Sequence, residues 1–139
     1  MERPITAESE RFVTRRMVIK IGTSTITGGK NQPDMTFMVD IARQAAELYH
    51  NGIDVIIVSS GAVALGTDKN NQSTDIIGKQ SDSLFGQPRL IERWISAFQP
   101  YGVERVGQAL YTDIDFEKRA ENAKAVLLRS LPRGPIIVN

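Results

Sequence analysis

Two short apolar segments each run without a break into a small, glycine-bearing turn: Met17-Val-Ile-Lys-Ile-Gly-Thr-Ser-Thr-Ile-Thr-Gly-Gly29 and Val55-Ile-Ile-Val-Ser-Ser-Gly-Ala-Val-Ala-Leu-Gly66. Where a buried strand gives way to Gly, Ser and Thr, backbone N–H groups come free at the carboxyl edge of a sheet. No bulky side chain then keeps an anion away from them. Such turns in pairs build phosphate and carboxylate sites.

The pattern between and after these turns alternates strands with helices. Arg15 to Gly22 alternates and then turns apolar, which predicts a first strand. From Asp34, a suitable N-cap, the apolar residues Phe37, Met38, Ile41, Ala45, Leu48 and Tyr49 recur at helical spacing until Asn51-Gly52 stops them. Ile53 to Ser59 is β-branched with no polar alternation after Asp54, as expected of a central parallel strand covered on both faces. Residues 67 to 74 are a polar connection, followed by a helical face of Leu90, Ile91, Trp94, Ile95 and Phe98 that ends at Pro100. A third strand falls within Val103 to Thr112. Asp113 or Asp115 then caps a helix with Phe116, Ala120, Ala123 and Leu127 on one face, and Ile136 to Val138 opens a fourth strand. The alternation predicts an α/β fold with parallel strands. Asn139 stands at a strand's carboxyl end, where ligands bind in such folds, so the sequence reads as the front part of a longer domain.

Composition narrows the function. A chain of 139 residues with 41% hydrophobic and 24% charged residues has the length and balance of one core. The first ten residues mix charges and lack the apolar centre of a secretory signal, and the chain has no cysteine. That excludes disulfides, thiolate chemistry and sulfur-ligated metals, and it suggests a cytoplasmic location. Seventeen basic against sixteen acidic residues give a net charge of +1, with no electrostatic footprint for nucleic acid or an anionic membrane. Any anion preference must come from a local site.

Lys20 lies inside the first strand, two residues before Gly22. Alternation alone puts it on a solvent face with Arg16 and Val18. A central parallel strand has no wet face, however, and an ammonium buried there requires an anionic partner such as a phosphoryl group at the strand's end. Gly22 to Lys30 is not a P-loop, because the glycine spacing is wrong and Asn31 follows Lys30; it fits a Gly/Thr-rich hairpin or an anion loop. Ser59-Ser60-Gly61-Ala62 lacks the first glycine of a nucleophile elbow. The chain's one histidine, His50, sits at a helix end, where a capping role is simpler than catalysis. A substrate-binding serine beside free amides is the better use of Ser60. Trp94 and Phe98 fit core or subunit contacts, and Asp113 and Asp115 fit helix capping, with metal ligation as their alternative.

Taken in order, Val-Ile-Lys20-Ile-Gly-Thr-Ser, Val-Ser-Ser60-Gly-Ala-Val-Ala-Leu-Gly66, Gly86-Gln87-Pro-Arg-Leu, Tyr101-Gly, Gln108-Ala-Leu-Tyr-Thr112 and Asn122-Ala resemble the glutamate 5-kinase branch of the amino acid kinase superfamily. The resemblance implies a three-layer α/β/α sandwich with a mostly parallel sheet. In it, residues 1–14 form a polar arm and residues 15–139 the N-terminal, amino-acid-binding part. It implies ATP-dependent phosphorylation of the γ-carboxylate of L-glutamate to γ-glutamyl phosphate, the first step of proline biosynthesis, with Mg2+ held mainly through the nucleotide. Lys20 would be catalytic and would touch the ATP phosphates together with Gly22 and Thr23. Ser60, Gly61 and Ala62 would hold the amino acid. A substrate carboxylate with a pKa near ~4 is already ionised, so attack on phosphorus needs charge neutralisation and alignment but no general base.

In the family, the later part supplies further glutamate ligands, a second lysine and the nucleotide pocket. The resemblance therefore implies a homo-oligomer or dependence on a C-terminal half, and little activity for this chain alone. Asp82 and Phe85 stand where alanine or valine is usual in the family, which bears on close packing. A non-catalytic amino-acid-binding or interaction module, and a half-enzyme completed by a second chain, are the alternatives.

Overall fold

The computed structural model describes residues 14–30, 32–68, 70 and 74–139. The polar arm expected over residues 1–14 lies, apart from Thr14, outside the described residues, as does part of the 67–74 connection. Among the described residues, strands β1 (Arg16–Ile21), β2 (Asp54–Ser59), β3 (Gly107–Ala109) and β4 (Ile136–Val138) form one parallel sheet in the order β1-β2-β4-β3. All four expected strands are present. The helices are α1 (Thr23–Thr27), α2 (Met35–His50), α3 (Ala62–Gly66), α4 (Ile76–Phe98), α5 (Asp113–Lys118) and α6 (Ala120–Ser130).

Strand periodicity divides the side chains between two faces. Ile21, Val55, Ile57 and Ile137 meet Met38, Ala42 and Ala45 of α2 and Leu90, Trp94 and Phe98 of α4 in the main core. On the opposite face, Ile56 and Ile136 pack with Leu131 of the 3₁₀ turn Leu131–Arg133 and with Leu127 of α6. Helices thus cover both faces, giving the expected α/β layering.

The second layer does not reach β1. The sheet order makes β1 an edge strand among the described residues, with Arg16, Val18 and Lys20 exposed. This corrects the expectation that Lys20 lies in a central strand without a wet face; the plain alternation reading was the right one. A β-branched run signals a buried strand in β2, but β1 carries polar residues on the face that no helix covers.

Local signals explain most boundaries. The Asp34 carboxylate accepts from the N–H of Phe37 at 3.1 Å, and Asn51 closes α2 as expected. At α4 the Asp75 carboxylate accepts from the N–H of Gly78 at 2.9 Å, and the helix runs unbroken through Pro88. His50 does not cap its own helix: its Nε2 donates to the carbonyl of Tyr101 at 2.8 Å, tying the end of α2 to the turn after α4. Thr112, and neither aspartate, occupies the cap position of α5. Asp115 reaches back to accept from the Thr112 N–H at 2.8 Å and the Thr112 hydroxyl at 2.9 Å. The single helix expected after Thr112 is split at Arg119 into α5 and α6.

One contact sets the arrangement around the carboxyl end of β2. A Cβ built on Gly86 would lie 1.6 Å from the carbonyl oxygen of Ala62, and one on Gly66 would lie 1.7 Å from the carbonyl oxygen of Asp82. Helices α3 and α4 therefore touch backbone to backbone, a separation no side chain permits. The Arg89 guanidinium donates to the carbonyl of Leu65 at 2.9 Å and holds the end of α3 in place. Asp82 keeps this packing. Its backbone carries the close contact, and its carboxylate lies 3.1 Å from the Thr67 hydroxyl. Phe85 points away and is exposed.

Two outcomes follow. Gly86→Ala is expected to cost about 3 kcal/mol or to prevent folding, since overpacking between backbones cannot relax. Gly22→Ala, with open space at its Cβ, is expected to stay within about 1 kcal/mol of the parent. Urea unfolding followed by fluorescence of Trp94, the chain's one tryptophan, measures both. Asp115 is held below the ordinary aspartate value by the Thr112 N–H first and the Thr112 hydroxyl second. Its contribution to stability is thus complete above the ordinary pKa and disappears as pH falls through the lowered one. An NMR titration of its carboxyl carbon should show that lowered pKa, and Thr112→Val should move it upward.

Candidate active site

Strands β1 and β2 are neighbours in register, with Ile21 opposite Ser59, so their carboxyl ends deliver both glycine-bearing turns to one place. The N–H of Ser60 donates to the carbonyl of Ile21 at 3.1 Å, extending the ladder by one bond and consuming that amide. The free amides begin at Gly61 and Ala62, because the first residues of any helix lack an intrahelical acceptor. The same holds at the start of α1, so Gly22 to Lys30 contains a one-turn helix followed by a glycine turn and no hairpin. Two short helices therefore start side by side at the rim of the sheet, and their amides suit negative charge.

Gly61 makes this juxtaposition possible. It adopts φ +112°, and a Cβ there would stand 2.9 Å from Cγ2 of Ile26 in α1. Beneath the turn, the indole Nε1 of Trp94 donates to the Ser59 hydroxyl at 3.1 Å, and that hydroxyl donates to the Ser60 carbonyl at 3.3 Å. Ser59, Trp94 and Phe98 are all buried, which bears out the core reading of the aromatic pair. Ser60 itself is half-buried and faces the cleft.

An open cleft of about 680 Å3 contains Thr23, Ser60, Gly61 and Ala62. Gln87, Leu110, Tyr111 and Asn139 join them on its wall. Sequence reading had these four only as parts of motifs or as a chain end. Gln87 follows Gly86, the residue at which α4 meets α3, so it sits close to the β2 turn. Gln87 is further oriented by Gln108, whose amide donates to its side-chain oxygen at 3.1 Å. Gly22 precedes the cleft at the start of α1. Lys20, in register with Val58, is not among the lining residues and makes no ion pair among the described residues. Among the described residues no group of three His, Asp or Glu side chains could hold a metal, and both Asp115 contacts above go to Thr112. No helix of the described residues is long and apolar enough to cross a membrane.

The sequence matches the amino acid kinase family over residues 15–138. It is 42% identical over 127 residues to a glutamate 5-kinase of Photobacterium profundum, an alignment covering 88% of this chain and 33% of that protein. Against a glutamate 5-kinase of Thermus thermophilus it is 40% identical over 129 residues, covering 89% and 34%. Against glutamate 5-kinase 2 of Pseudoalteromonas translucida it is 43% identical over 115 residues, covering 80% and 31%. The chain thus spans about a third of the length of the curated relatives it matches.

The left-handed backbone of Gly61 and its contact with Ile26 predict that Gly61→Ala destabilises the fold by about 2 kcal/mol. Ser60→Ala, at a half-buried position whose amide is already paired, is expected to change stability by less than about 1 kcal/mol. Denaturant midpoints of the two variants measure both effects.

Proposed function

The chain belongs to the amino acid kinase family, and from that premise we propose that it is the amino-acid-binding part of a glutamate 5-kinase. The reaction is ATP-dependent phosphorylation of the γ-carboxylate of L-glutamate, the first step of proline biosynthesis, in the cytoplasm. The observation that carries the reading is the pairing of two glycine-bearing turns at the ends of adjacent parallel strands, with Thr23, Ser60, Gly61 and Ala62 in one cleft.

A carboxylate oxygen of glutamate attacks the γ-phosphorus, a P–O bond forms, and the bond to the departing ADP breaks. No proton needs to be removed from an ionised carboxylate, so a site without a general base suffices. Ser60 offers a hydroxyl, and Gly61 and Ala62 offer amides, to the amino acid. Gly22 and Thr23 offer amides to the phosphates. Lys20 supplies positive charge to the transferring group from the exposed face of β1. Mg2+ would be held mainly through the nucleotide. Because the chain spans a third of its relatives, the 139-residue polypeptide alone is expected to have little or no kinase activity, with turnover requiring a C-terminal half or partner subunits.

The test grafts residues 15–139 in place of the matching third of the Thermus thermophilus glutamate 5-kinase and traps γ-glutamyl phosphate as its hydroxamate. Activity is expected. Lys20→Ala should lower kcat by on the order of 10²–10³, and Ser60→Ala should chiefly raise KM for glutamate. A folded, active chimera indifferent to both substitutions would sink the site assignment. A binding module without catalysis is the second reading, favoured by the exposure of Lys20. It predicts calorimetric glutamate binding by the isolated chain without nucleotide, lost in Ser60→Ala.

A further inference from the structure

A second cleft, of about 290 Å3, lies between β3 and α6 and contains none of the residues assigned to catalysis. Val106, Val126, Leu127 and Ile136 make its wall apolar, while Arg105 and Arg133 stand at its rim. No acidic residue lines it, and neither arginine forms an ion pair among the described residues. Two guanidiniums in one cleft, with no acidic partner among the described residues, are notable in a chain whose net charge is only +1.

The backbone segments that carry the two arginines are packed against each other. Gly134 adopts φ +156°, and a Cβ on it would lie 2.1 Å from the carbonyl oxygen of Arg105. The N–H of Gly107 donates to the carbonyl of Pro135 at 2.9 Å, joining the two approach segments of β3 and β4. A Cβ on Gly107 would also meet Cδ1 of Ile136 at 2.6 Å. The segments carrying Arg105 and Arg133 are therefore locked side by side, and both side chains open onto the same cavity. Guanidinium groups recognise oxyanions through paired N–H donors, and two carried on adjoining segments lining one cleft can both reach a single anion.

We propose that this cleft is a binding site for a small oxyanion, a carboxylate or phosphate ester, carrying a compact apolar body. The guanidiniums of Arg105 and Arg133 take the anion and the wall of Val126, Leu127 and Ile136 takes the body. The volume lies at the lower end of the range that small-molecule pockets occupy. One residue of β3 and one just after it lie between this site and the first cleft. Tyr111 lines both, and Gln108, at the second cleft, donates to Gln87 in the first. The inference does not rest on the glutamate kinase reading.

The test titrates the full 15N-labelled chain with phenyl phosphate, benzoate, inorganic phosphate and phenol, following backbone amide shifts. Saturable shifts at Gly107, Ser130 and Gly134 are expected with phenyl phosphate and benzoate, with weaker binding of inorganic phosphate and of phenol by about tenfold or more. Arg105→Gln with Arg133→Gln should weaken phenyl phosphate by at least about tenfold, the scale of one lost charge-assisted hydrogen bond. Arg129→Gln, on α6 outside the cleft, should leave it unchanged. All three substitutions are at exposed positions, and the unperturbed remainder of the spectrum shows that each variant is folded. Absence of saturable shifts, shifts that survive the double substitution, or equal binding of phenol overturns the site. Equal binding of inorganic phosphate overturns the role of the apolar wall.

Discussion

The arrangement at the rim of the sheet depends on the contact between two backbones. Because Gly66 and Gly86 have no side chains, α3 lies directly against α4, and its first turn is fixed at the carboxyl end of β2. The Ala62 carbonyl that Gly86 receives belongs to the same turn as Ser60 and Gly61, so the packing contact and the candidate ligand contacts are a residue or two apart. Trp94, lower on the same helix, supports the turn through Ser59. One long helix therefore carries the core face, the floor of the turn and, through Gln87, part of the cleft wall.

This arrangement shifts the electrostatic weight of the site. Amides at helix starts are fixed partial charges that need no reorganisation to meet an anion. An ammonium on an exposed strand is screened by water and salt, and its attraction at a given distance is a fraction of that in a dry interior. Lys20 is exposed, so burial does not compel it to seek a phosphate. What supports a role for Lys20 is its register, two residues before the turn on the strand that neighbours β2. The free amides of Gly61 and Ala62, by contrast, are at the cleft itself.

Much of the fold was legible because it rests on short-range rules. Asp34 and Asn51 delimit α2 by satisfying backbone groups within a turn, and the unbroken β-branched run of β2 announces burial on both faces. The candidate site was legible in part for the same reason: small residues after a strand leave amides open wherever they occur. Other features were not legible. The split at Arg119 and the role of Thr112 over Asp113 or Asp115 depend on how the chain leaves β3. The reach of His50 to Tyr101 joins residues that only folding brings together. Gln87 and Tyr111 enter the cleft from separate elements, and no spacing rule connects them to Ser60.

The sequence by itself determined the alternation of strands and helices, the parallel sense of the sheet and the two glycine-bearing turns, because these follow from periodicity, capping and the absence of side chains. Only the tertiary structure decided which strand stands at the edge, and with it the exposure of Lys20. It also decided that Arg105 and Arg133 share a cavity. Strand order and the meeting of distant segments are settled by which faces the helices can cover, and that is a property of the assembled layers that no local stretch of residues encodes.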